Sequence, residues 1–386
     1  MGKKIYLILA LIILFLVVYH RWIFQLGNLT SNDWPYFFNQ TLITLRIYYF
    51  SLWLGDISLG RVVFDLGQAP TYALYGLLAK VFSINYALNE RIIHFWPTVF
   101  VMPISSYLLL NKLFKNKIAI FIGILVFSFN TYFVVLQSAF PTLMVAYALT
   151  PLIILLYMMS LEKLSLVYAL LTALLLFIDS SYETRGVYII SFILIFYLIF
   201  YLLYQIKKNH LPIIKILFFG FLPFITLFLL NFYWLLGVGI VGLLVNNSIF
   251  NRELFGNGFL NIKFAITLFY PFWTGGKTAE FIIQPIPFYF WTIPIFAFLG
   301  FYLNRKNKSI LFFGIIVLLG IFLSKQVAPP FNNIYPFLFK YFPGFNAFRE
   351  ATKFYLLIVL GYSVLISSFI DWMWKNWKKK RLSVSY

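Results

Sequence analysis

One acidic residue, Asp33, follows directly after the first long apolar run of the sequence, within the polar and aromatic segment 31–36. A carboxylate at the mouth of a membrane helix is expensive to bury and is often functional when it faces a cavity. Within hydrogen-bond reach, such a group can accept a proton from a hydroxyl. The alternative is structural, because an Asx turn or a helix cap before Pro35 would use the same residues.

The segment 179–186 places two acids and an arginine between two apolar runs. Asp179 and Glu183 carry oxygens that accept hydrogen bonds from sugar hydroxyls, and the Arg185 guanidinium can bind phosphate oxygens through two N–H groups. Alternatively, Arg185 forms a local ion pair with Glu183 or Asp179 and stabilises a helix end. The sequence leaves both interpretations open.

Arg349 and Lys353 open the last long apolar run with the i, i+4 spacing that puts two side chains on one helix face. Two cations at a helix start suit a bound anion, because the helix dipole alone already favours negative charge there. Arginine and lysine would contact such an anion differently, as a planar fork and as a point charge. The alternative is that both side chains extend to lipid headgroups.

Two further charged or titratable positions favour structural interpretations. Arg61 can form an ion pair with either Asp56 or Asp65, and such structural pairing is the simpler interpretation, while His94 is typical of a packed or interfacial histidine. The sequence has no Asp-x-Asp motif, no His and Glu at metal-ligand spacing and no Walker-type glycine loop. We therefore predict no cofactor and no dedicated metal site, and divalent-metal dependence stays open. The absence of cysteine excludes disulfides and thiolate metal sites.

These residues belong to a chain that is 62% hydrophobic and only 11% charged, whereas a soluble domain carries about 25% charge. About ten apolar runs approach the length needed to cross a bilayer, and their backbone groups must be paired within each run, which makes them helices. The sequence predicts an all-α, polytopic membrane protein. The predicted spans are 5–24, 92–111, 118–136, 142–160, 164–178, 187–206, 212–231, 287–303, 309–324 and 354–373.

The net charge of +19 is explained by membrane topology, because no compact basic domain is present to bind nucleic acid. Lysine and arginine concentrate in alternate loops if residues 1–4 are cytoplasmic, as the positive-inside rule requires. The basic segments are 1–4, 112–117, 161–163, 207–215, 304–308 and 374–386. We predict an integral membrane protein with both termini in the cytoplasm and with Asp33 on the outer face.

The whole chain, 1–386, is predicted to form a single transmembrane domain. Its longest outer segment, 25–91, contains two short apolar pieces, 41–54 and 69–82, which are predicted to be helices lying in the membrane interface. A second outer segment, 246–286, is rich in Gly, Asn and Pro and is predicted to be irregular or re-entrant. The segment 374–386 is predicted to be a basic cytoplasmic tail.

Three short stretches resemble a known family. They are Asn32-Asp33-Trp34-Pro35, the loop ending in Gly67-Gln68-Ala69-Pro70, and Phe348-Arg349-Glu350-Ala351-Thr352-Lys353-Phe354. Together with the order of one span, a long outer loop with an acid, and many further spans, they resemble the GT-C superfamily of membrane glycosyltransferases. Within it, the chain resembles the arabinofuranosyltransferase D-like proteins, which are α-(1→3)-arabinofuranosyltransferases.

This resemblance implies a polyprenyl-phosphate-linked sugar donor and a glycan, lipid or protein acceptor on the outer face, in contact with membrane lipids. It implies that Asp33 deprotonates the acceptor hydroxyl, with Glu183 as the second candidate for the base. The cations that would hold the leaving lipid phosphate are Arg349, Lys353 and Arg185, since fixed positive charge stabilises the charge that develops there. The candidates for contacts with sugar are Asp179, Trp34, Asp65 and His94.

Two other functional classes compete with this interpretation. A flippase or transporter of lipid-linked sugars would need charged residues deep within its spans, whereas this sequence keeps nearly all of them at the ends of apolar runs. A non-catalytic membrane scaffold would not need Asp33. An assay of the purified protein with lipid-linked sugars distinguishes the three classes.

The alternation of basic loops generates a topology prediction. Reporter fusions after Lys208 and after Tyr386 are both expected to report a cytoplasmic location, because an even number of spans separates each of them from residues 1–4. A fusion within 325–353 is the control and should report the opposite side. Opposite locations for Lys208 and Tyr386 would contradict the predicted number of spans.

Overall fold

The computed structural model describes residues 2–25, 27–29, 53–54, 61–62, 66–206, 212–244, 253–254, 260–269 and 285–384. Within these ranges the chain is almost wholly helical. A single short antiparallel pair occurs there, between β1 (Trp53–Leu54) and β2 (Arg61–Val62). Asp33, Trp34 and Asp65 lie outside the described residues, as do the predicted interfacial piece 41–52 and most of the segment 246–286.

The N-terminal part of the chain contains eleven described helices. They are α1 (Gly2–Val18), α2 (His20–Phe24), α3 (Ala69–Phe82), α4 (Tyr86–Glu90), α5 (Trp96–Leu113), α6 (Lys117–Ser128), α7 (Thr131–Ala139), α8 (Pro141–Lys163), α9 (Leu166–Tyr182), α10 (Thr184–Ile206) and α11 (Ile213–Leu244). A π-helical turn, Arg91–Phe95, joins α4 to α5 and makes Tyr86–Leu113 one continuous helical segment.

The C-terminal part adds five described helices. They are α12 (Ile262–Thr267), α13 (Thr292–Asn304), α14 (Lys308–Ser324), α15 (Ile334–Tyr341) and α16 (Tyr355–Val384). Short 3-10 turns precede α13 and α16 and follow α15; they are Phe288–Trp291, Ala351–Phe354 and Phe345–Ala347.

Five helical segments among the described residues are long and apolar enough to cross a membrane. They are Tyr86–Leu113, Pro141–Lys163, Thr184–Ile206, Ile213–Leu236 and Ala351–Trp377. Shorter apolar helices of 10–17 residues overlap the other predicted runs. These observations confirm the prediction of an all-α membrane protein. They also confirm a helix, α3, at the predicted piece 69–82.

The predicted span 118–136 is interrupted in the structure, which has α6 and α7 in its place. Asn130 causes the break, because its amide nitrogen donates to the Phe127 carbonyl at 2.9 Å while its Oδ1 accepts from the Phe133 N–H at 3.0 Å. One side chain therefore satisfies a carbonyl at the end of α6 and an amide at the start of α7. A run of apolar residues does not reveal such a break.

Asparagine side chains also fix where several other helices begin. Asn85, Asn116 and Asn307 precede α4, α6 and α14, and each accepts a hydrogen bond from a backbone N–H of the first turn at 2.9–3.0 Å. These N–H groups have no partner inside the helix, so each cap satisfies a backbone donor that would otherwise lack one. The cap typically stabilises a helix by about 1 kcal/mol.

The chain divides into two compact units. Unit 1 comprises residues 1–8, 106–135 and 250–386, and unit 2 comprises residues 9–105 and 136–249. In unit 2, α8 is largely buried and packs against α9, α10 and α11. The Tyr157 hydroxyl of α8 donates to the Gly220 carbonyl of α11 at 3.0 Å, which ties two apolar helices together through a buried polar contact.

In unit 1, α16 is the central helix and packs against α6, α13 and α14. Small residues permit close helix approach, as is common in membrane proteins. Gly300 of α13 lies so near α16 that an added Cβ would come within 1.9 Å of the Leu365 carbonyl oxygen. The Ser367 hydroxyl of α16 donates to the Ala119 carbonyl of α6 at 2.8 Å, which adds a hydrogen bond to this packing.

The close approach of α13 and α16 generates a stability prediction. Gly300→Ala is expected to destabilise unit 1 by about 2 kcal/mol or more, because the added methyl meets rigid backbone that has no alternative rotamer. Gly220→Ala is the matched control, since the three atoms nearest its added Cβ all belong to the flexible side chain of Leu198. Thermal unfolding of the two variants in detergent measures the difference. Equal melting temperatures would contradict the packing described here.

Candidate functional site

The C-terminal end of α9 carries a buried carboxylate that stands out in unit 2. Asp179 is fully buried, and neither of its carboxylate oxygens has a hydrogen-bond partner among the described residues. It lies in the last turn of α9, where the helix dipole disfavours negative charge. Gly186 packs closely beside it, since an added Cβ there would lie 2.9 Å from the Ala146 Cβ and 3.4 Å from Asp179 Oδ2. A group that donates hydrogen bonds, or a proton, would satisfy this carboxylate.

The last carbonyls of α9 are held by side chains from the segment that begins α3. The Thr71 hydroxyl donates to the Ser181 carbonyl at 2.6 Å, and the Gln68 amide donates to the Tyr182 carbonyl at 3.2 Å. A helix end leaves such carbonyls without intrahelical partners, so these bonds satisfy them. On α11, Asn231 Oδ1 accepts from the Ser180 hydroxyl at 3.1 Å. The end of α9 is therefore fixed from two sides within unit 2.

Glu183 and Arg185 form a two-pronged ion pair directly after α9. Arg185 Nε and Nη2 donate to the two carboxylate oxygens of Glu183 at 2.7 and 2.9 Å. The Glu183 side chain is 6% exposed and that of Arg185 is 31% exposed. The structure therefore contains the local pair that the sequence offered as the alternative, and the charge of Arg185 is already compensated by Glu183.

His94 is fully buried in the π-helical turn and lies in an aromatic cluster. Its Nδ1 shares a hydrogen bond of 2.8 Å with the Tyr75 hydroxyl, and its ring meets Tyr182 edge-on at 5.6 Å between centroids. The Tyr182 hydroxyl in turn donates to the Ile93 carbonyl at 2.9 Å. These contacts give His94 the environment of a packed histidine, while placing it beside the end of α9.

A second pair in unit 2, Glu90 and Arg91, did not emerge as a candidate from the sequence. Both side chains are buried, with 3.6 Å between Arg91 Nη1 and Glu90 Oε1. The Leu29 N–H donates to the Glu90 carboxylate, and Arg91 donates to the Gln25 carbonyl. The only sequence signal is the adjacent acid and base just before an apolar run. The pair anchors the segment 25–29 to the start of the Tyr86–Leu113 helix.

In unit 1, Lys353 is buried and paired with an acid. Its ammonium lies 2.6 Å from Glu350 Oε2, the two side chains are each 7% exposed, and the Thr352 hydroxyl donates to the other carboxylate oxygen. Arg349 is exposed and lies in a bend before the 3-10 turn Ala351–Phe354. The expected helix face shared by Arg349 and Lys353 therefore does not form, because helical geometry begins only after Arg349.

The turn that carries Arg349 is fixed by two buried side chains. The Tyr335 hydroxyl donates to the Phe348 carbonyl at 2.6 Å, and the Gln326 amide donates to the Arg349 carbonyl at 2.8 Å. Burial, together with the nearby Glu350 carboxylate, raises the pKa of Tyr335 well above its usual value. The phenol is therefore a neutral hydrogen-bond donor across the physiological pH range.

Lys325 is a further charged residue that the sequence did not single out. It follows α14, is 1% exposed, and donates from Nζ to the Ala328 carbonyl at 2.6 Å. Its ammonium also lies 4.9 Å from the centroid of the Phe322 ring, a cation–π distance. Desolvation by burial lowers the pKa of Lys325 below its usual value.

The described residues contain no group of three His, Cys, Asp or Glu side chains placed to hold a metal ion. Comparison of the chain with family models, with curated proteins and with solved structures gave no match. The functional interpretation consequently depends on the sequence stretches quoted above and on the chemistry of the two polar clusters, one in each unit.

The buried Glu350–Lys353 pair generates a prediction about stability. Lys353→Met removes the charge, keeps most of the side-chain volume, and leaves the Glu350 carboxylate buried without its cation. Removal of one partner from a buried pair typically costs about 3–5 kcal/mol. The double variant Glu350→Gln/Lys353→Met should recover most of that loss.

Thermal unfolding of the wild type, both single variants and the double variant in detergent completes the double-mutant cycle. Lys375→Met is the control, because it breaks the pair with Asp371, in which the Lys375 side chain is 68% exposed and that of Asp371 is 11% exposed. Additive effects of the two substitutions at 350 and 353 would show that the pair contributes no coupling.

Proposed function

We propose that this protein is a membrane glycosyltransferase of the GT-C type, which transfers a sugar from a polyprenyl-phosphate-linked donor to an acceptor glycan, lipid or protein. The proposal starts from the three sequence stretches that resemble this superfamily. The membrane-protein architecture agrees with it, because a donor with a polyprenyl tail resides in the bilayer. The enzyme would have about ten spans, interfacial helices in its first outer loop and both termini in the cytoplasm.

The observation that carries the proposal is the unsatisfied Asp179 carboxylate at the end of α9. A buried acceptor with two unused oxygens is costly unless a ligand or a proton supplies the missing hydrogen bond. Sugar hydroxyls are donors of this kind, and carboxylates commonly bind them in pairs. Asp179 would orient a sugar beside the aromatic cluster that contains His94 and Tyr182.

In the proposed reaction, the acceptor hydroxyl loses its proton to the carboxylate of Asp33 as its oxygen attacks the anomeric carbon of the donor sugar. The bond between that carbon and the phosphate oxygen breaks, and the electron pair leaves with the lipid phosphate. Cations near the phosphate stabilise the charge that develops there. Arg349 is the exposed cation of the family-like stretch, Lys353 is buried beside Glu350, and Arg185 is paired with Glu183.

The distribution of charge favours an enzyme over a transporter. In the five long apolar helices, the charged residues lie towards the ends, as Arg185 does in Thr184–Ile206 and Lys215 does in Ile213–Leu236. A transporter that moves a charged group across the bilayer needs such residues at the membrane midplane. Polar groups at helix ends instead suit a reaction at the membrane surface.

The proposal predicts the effect of Asp33→Asn. This substitution keeps the size of the side chain and removes its basic oxygen, so sugar transfer should slow by about 10²–10⁴-fold while donor binding persists. Transfer from a radiolabelled polyprenyl-phosphate sugar to an acceptor mixture measures the rate with purified protein. Asp371→Asn is a charge-matched control outside the proposed site.

The variant Glu183→Gln tests the second candidate for the base. Since Glu183 already accepts two hydrogen bonds from Arg185, its substitution should affect stability more than transfer. Near-normal transfer in Asp33→Asn with loss of transfer in Glu183→Gln would exchange their roles. Full transfer in both variants, or no transfer by the wild type with any lipid-linked sugar, would reject the proposed assignment.

A further inference from the structure

The Lys325 ammonium is buried without a carboxylate. It has three N–H donors, and among the described residues only the Ala328 carbonyl accepts from it. The face of Phe322 provides partial compensation of the charge, and the C-terminal end of α14 provides more. Neither uses the remaining N–H donors. Among the described residues, Arg91, Arg185 and Lys353 each face a carboxylate, whereas the contacts of the Lys325 ammonium are a carbonyl oxygen and a ring.

The residue before Lys325 supplies a second unused donor. Ser324 is 1% exposed, and its hydroxyl has no hydrogen-bond partner among the described residues. An ammonium and a hydroxyl on consecutive residues, both buried and both with donor capacity left over, favour a ligand that accepts several hydrogen bonds and carries negative charge. The lowered pKa of Lys325 has the same origin, because burial has removed water without replacing it by an anion.

The following residue joins this segment to the turn that carries Arg349. Gln326 adopts a positive φ of 53°, which is rare for a residue with a side chain, and its amide donates to the Arg349 carbonyl at 2.8 Å. The segment 324–326 and the turn at 348–349 are thereby held side by side within unit 1. The backbone of Arg349, a residue with an exposed side chain, is thereby brought next to the segment that contains the buried Lys325.

We propose that Lys325 and Arg349, with the Ser324 hydroxyl, form a phosphate-binding site in unit 1. Phosphate matches this set, because it carries negative charge on several oxygens and accepts hydrogen bonds from ammonium, guanidinium and hydroxyl groups together. Lys353 is outside the site, since Glu350 neutralises it. That the phosphate belongs to the lipid donor rests on the proposed function; the existence of the site does not.

The site is tested by binding rather than by turnover. Full-length protein in detergent is titrated with polyprenyl phosphate and, separately, with polyprenol, which has the same tail without the phosphate. Lys325→Gln and Arg349→Gln should each weaken binding of polyprenyl phosphate by about tenfold or more, as expected for a charged hydrogen bond. Lys340→Gln, an exposed lysine in the same segment, is the matched control and should bind like the wild type.

Arg349 and a conservative variant keep the test decisive if Lys325→Gln does not fold. The Arg349 side chain is exposed, so Arg349→Gln should fold, and Lys325→Arg should retain both charge and binding. Inorganic phosphate added as a competitor separates the two sources. If inorganic phosphate displaces polyprenyl phosphate at an equal concentration, the ligand of the site is free phosphate. If the protein prefers polyprenyl phosphate, the ligand is the phosphate of a lipid headgroup or lipid carrier.

Two results would overturn the site. One is wild-type binding of polyprenyl phosphate by both Lys325→Gln and Arg349→Gln; the other is equal affinity for polyprenol and polyprenyl phosphate. These outcomes are distinct from failure of the proposed function. If phosphate binding depends on Lys325 but no sugar is transferred, the glycosyltransferase proposal is rejected and the phosphate site stands. If sugar is transferred at the same rate without Lys325, the phosphate site is rejected and the glycosyltransferase proposal stands.

Discussion

The cost of burying charge in an apolar protein is the constraint on which this structure depends. Most buried charges meet it locally: Glu90 with Arg91, Glu183 with Arg185, and Glu350 with Lys353 are pairs within four residues of sequence. Each pair lies where an apolar helix begins or ends. Asp179 and Lys325 do not follow this rule, because neither has an oppositely charged partner among the described residues. They are therefore the residues proposed to contact a ligand in their respective units.

Backbone N–H and C=O groups at helix ends are also costly to bury without a partner, and side chains of a few types supply the missing hydrogen bonds. Asparagine side chains cap the starts of α4, α6 and α14. At the end of α9, Thr71 and Gln68 donate hydrogen bonds to the last carbonyls. Because these bonds fix the helix ends, the residues beside them are held in defined positions. The polar side chains described here are consequently concentrated at helix ends, where these hydrogen bonds hold them in defined positions.

The sequence predicted the helices well, because length and apolar composition alone decide whether a segment can cross a bilayer. It also named the Glu183–Arg185 pair as an alternative, since those residues are adjacent. It did not predict the Glu350–Lys353 pair, because the helix was expected to include Arg349. The burial of Asp179 and Lys325 was not readable either: it depends on α3, α11 and the turn at 348–349, which are distant in sequence.

The central position of α16 has a consequence for how the protein is made. Its partners α6, α13 and α14 all precede it in the sequence, so they leave the ribosome while the helix that packs between them is still absent. The face of α6 that contains Gly123 therefore lacks its partner helix in the bilayer until α16 has been synthesised. Unit 1 can be completed only as a late step of membrane insertion, and during that interval its small-residue faces are open to other helices and to lipid.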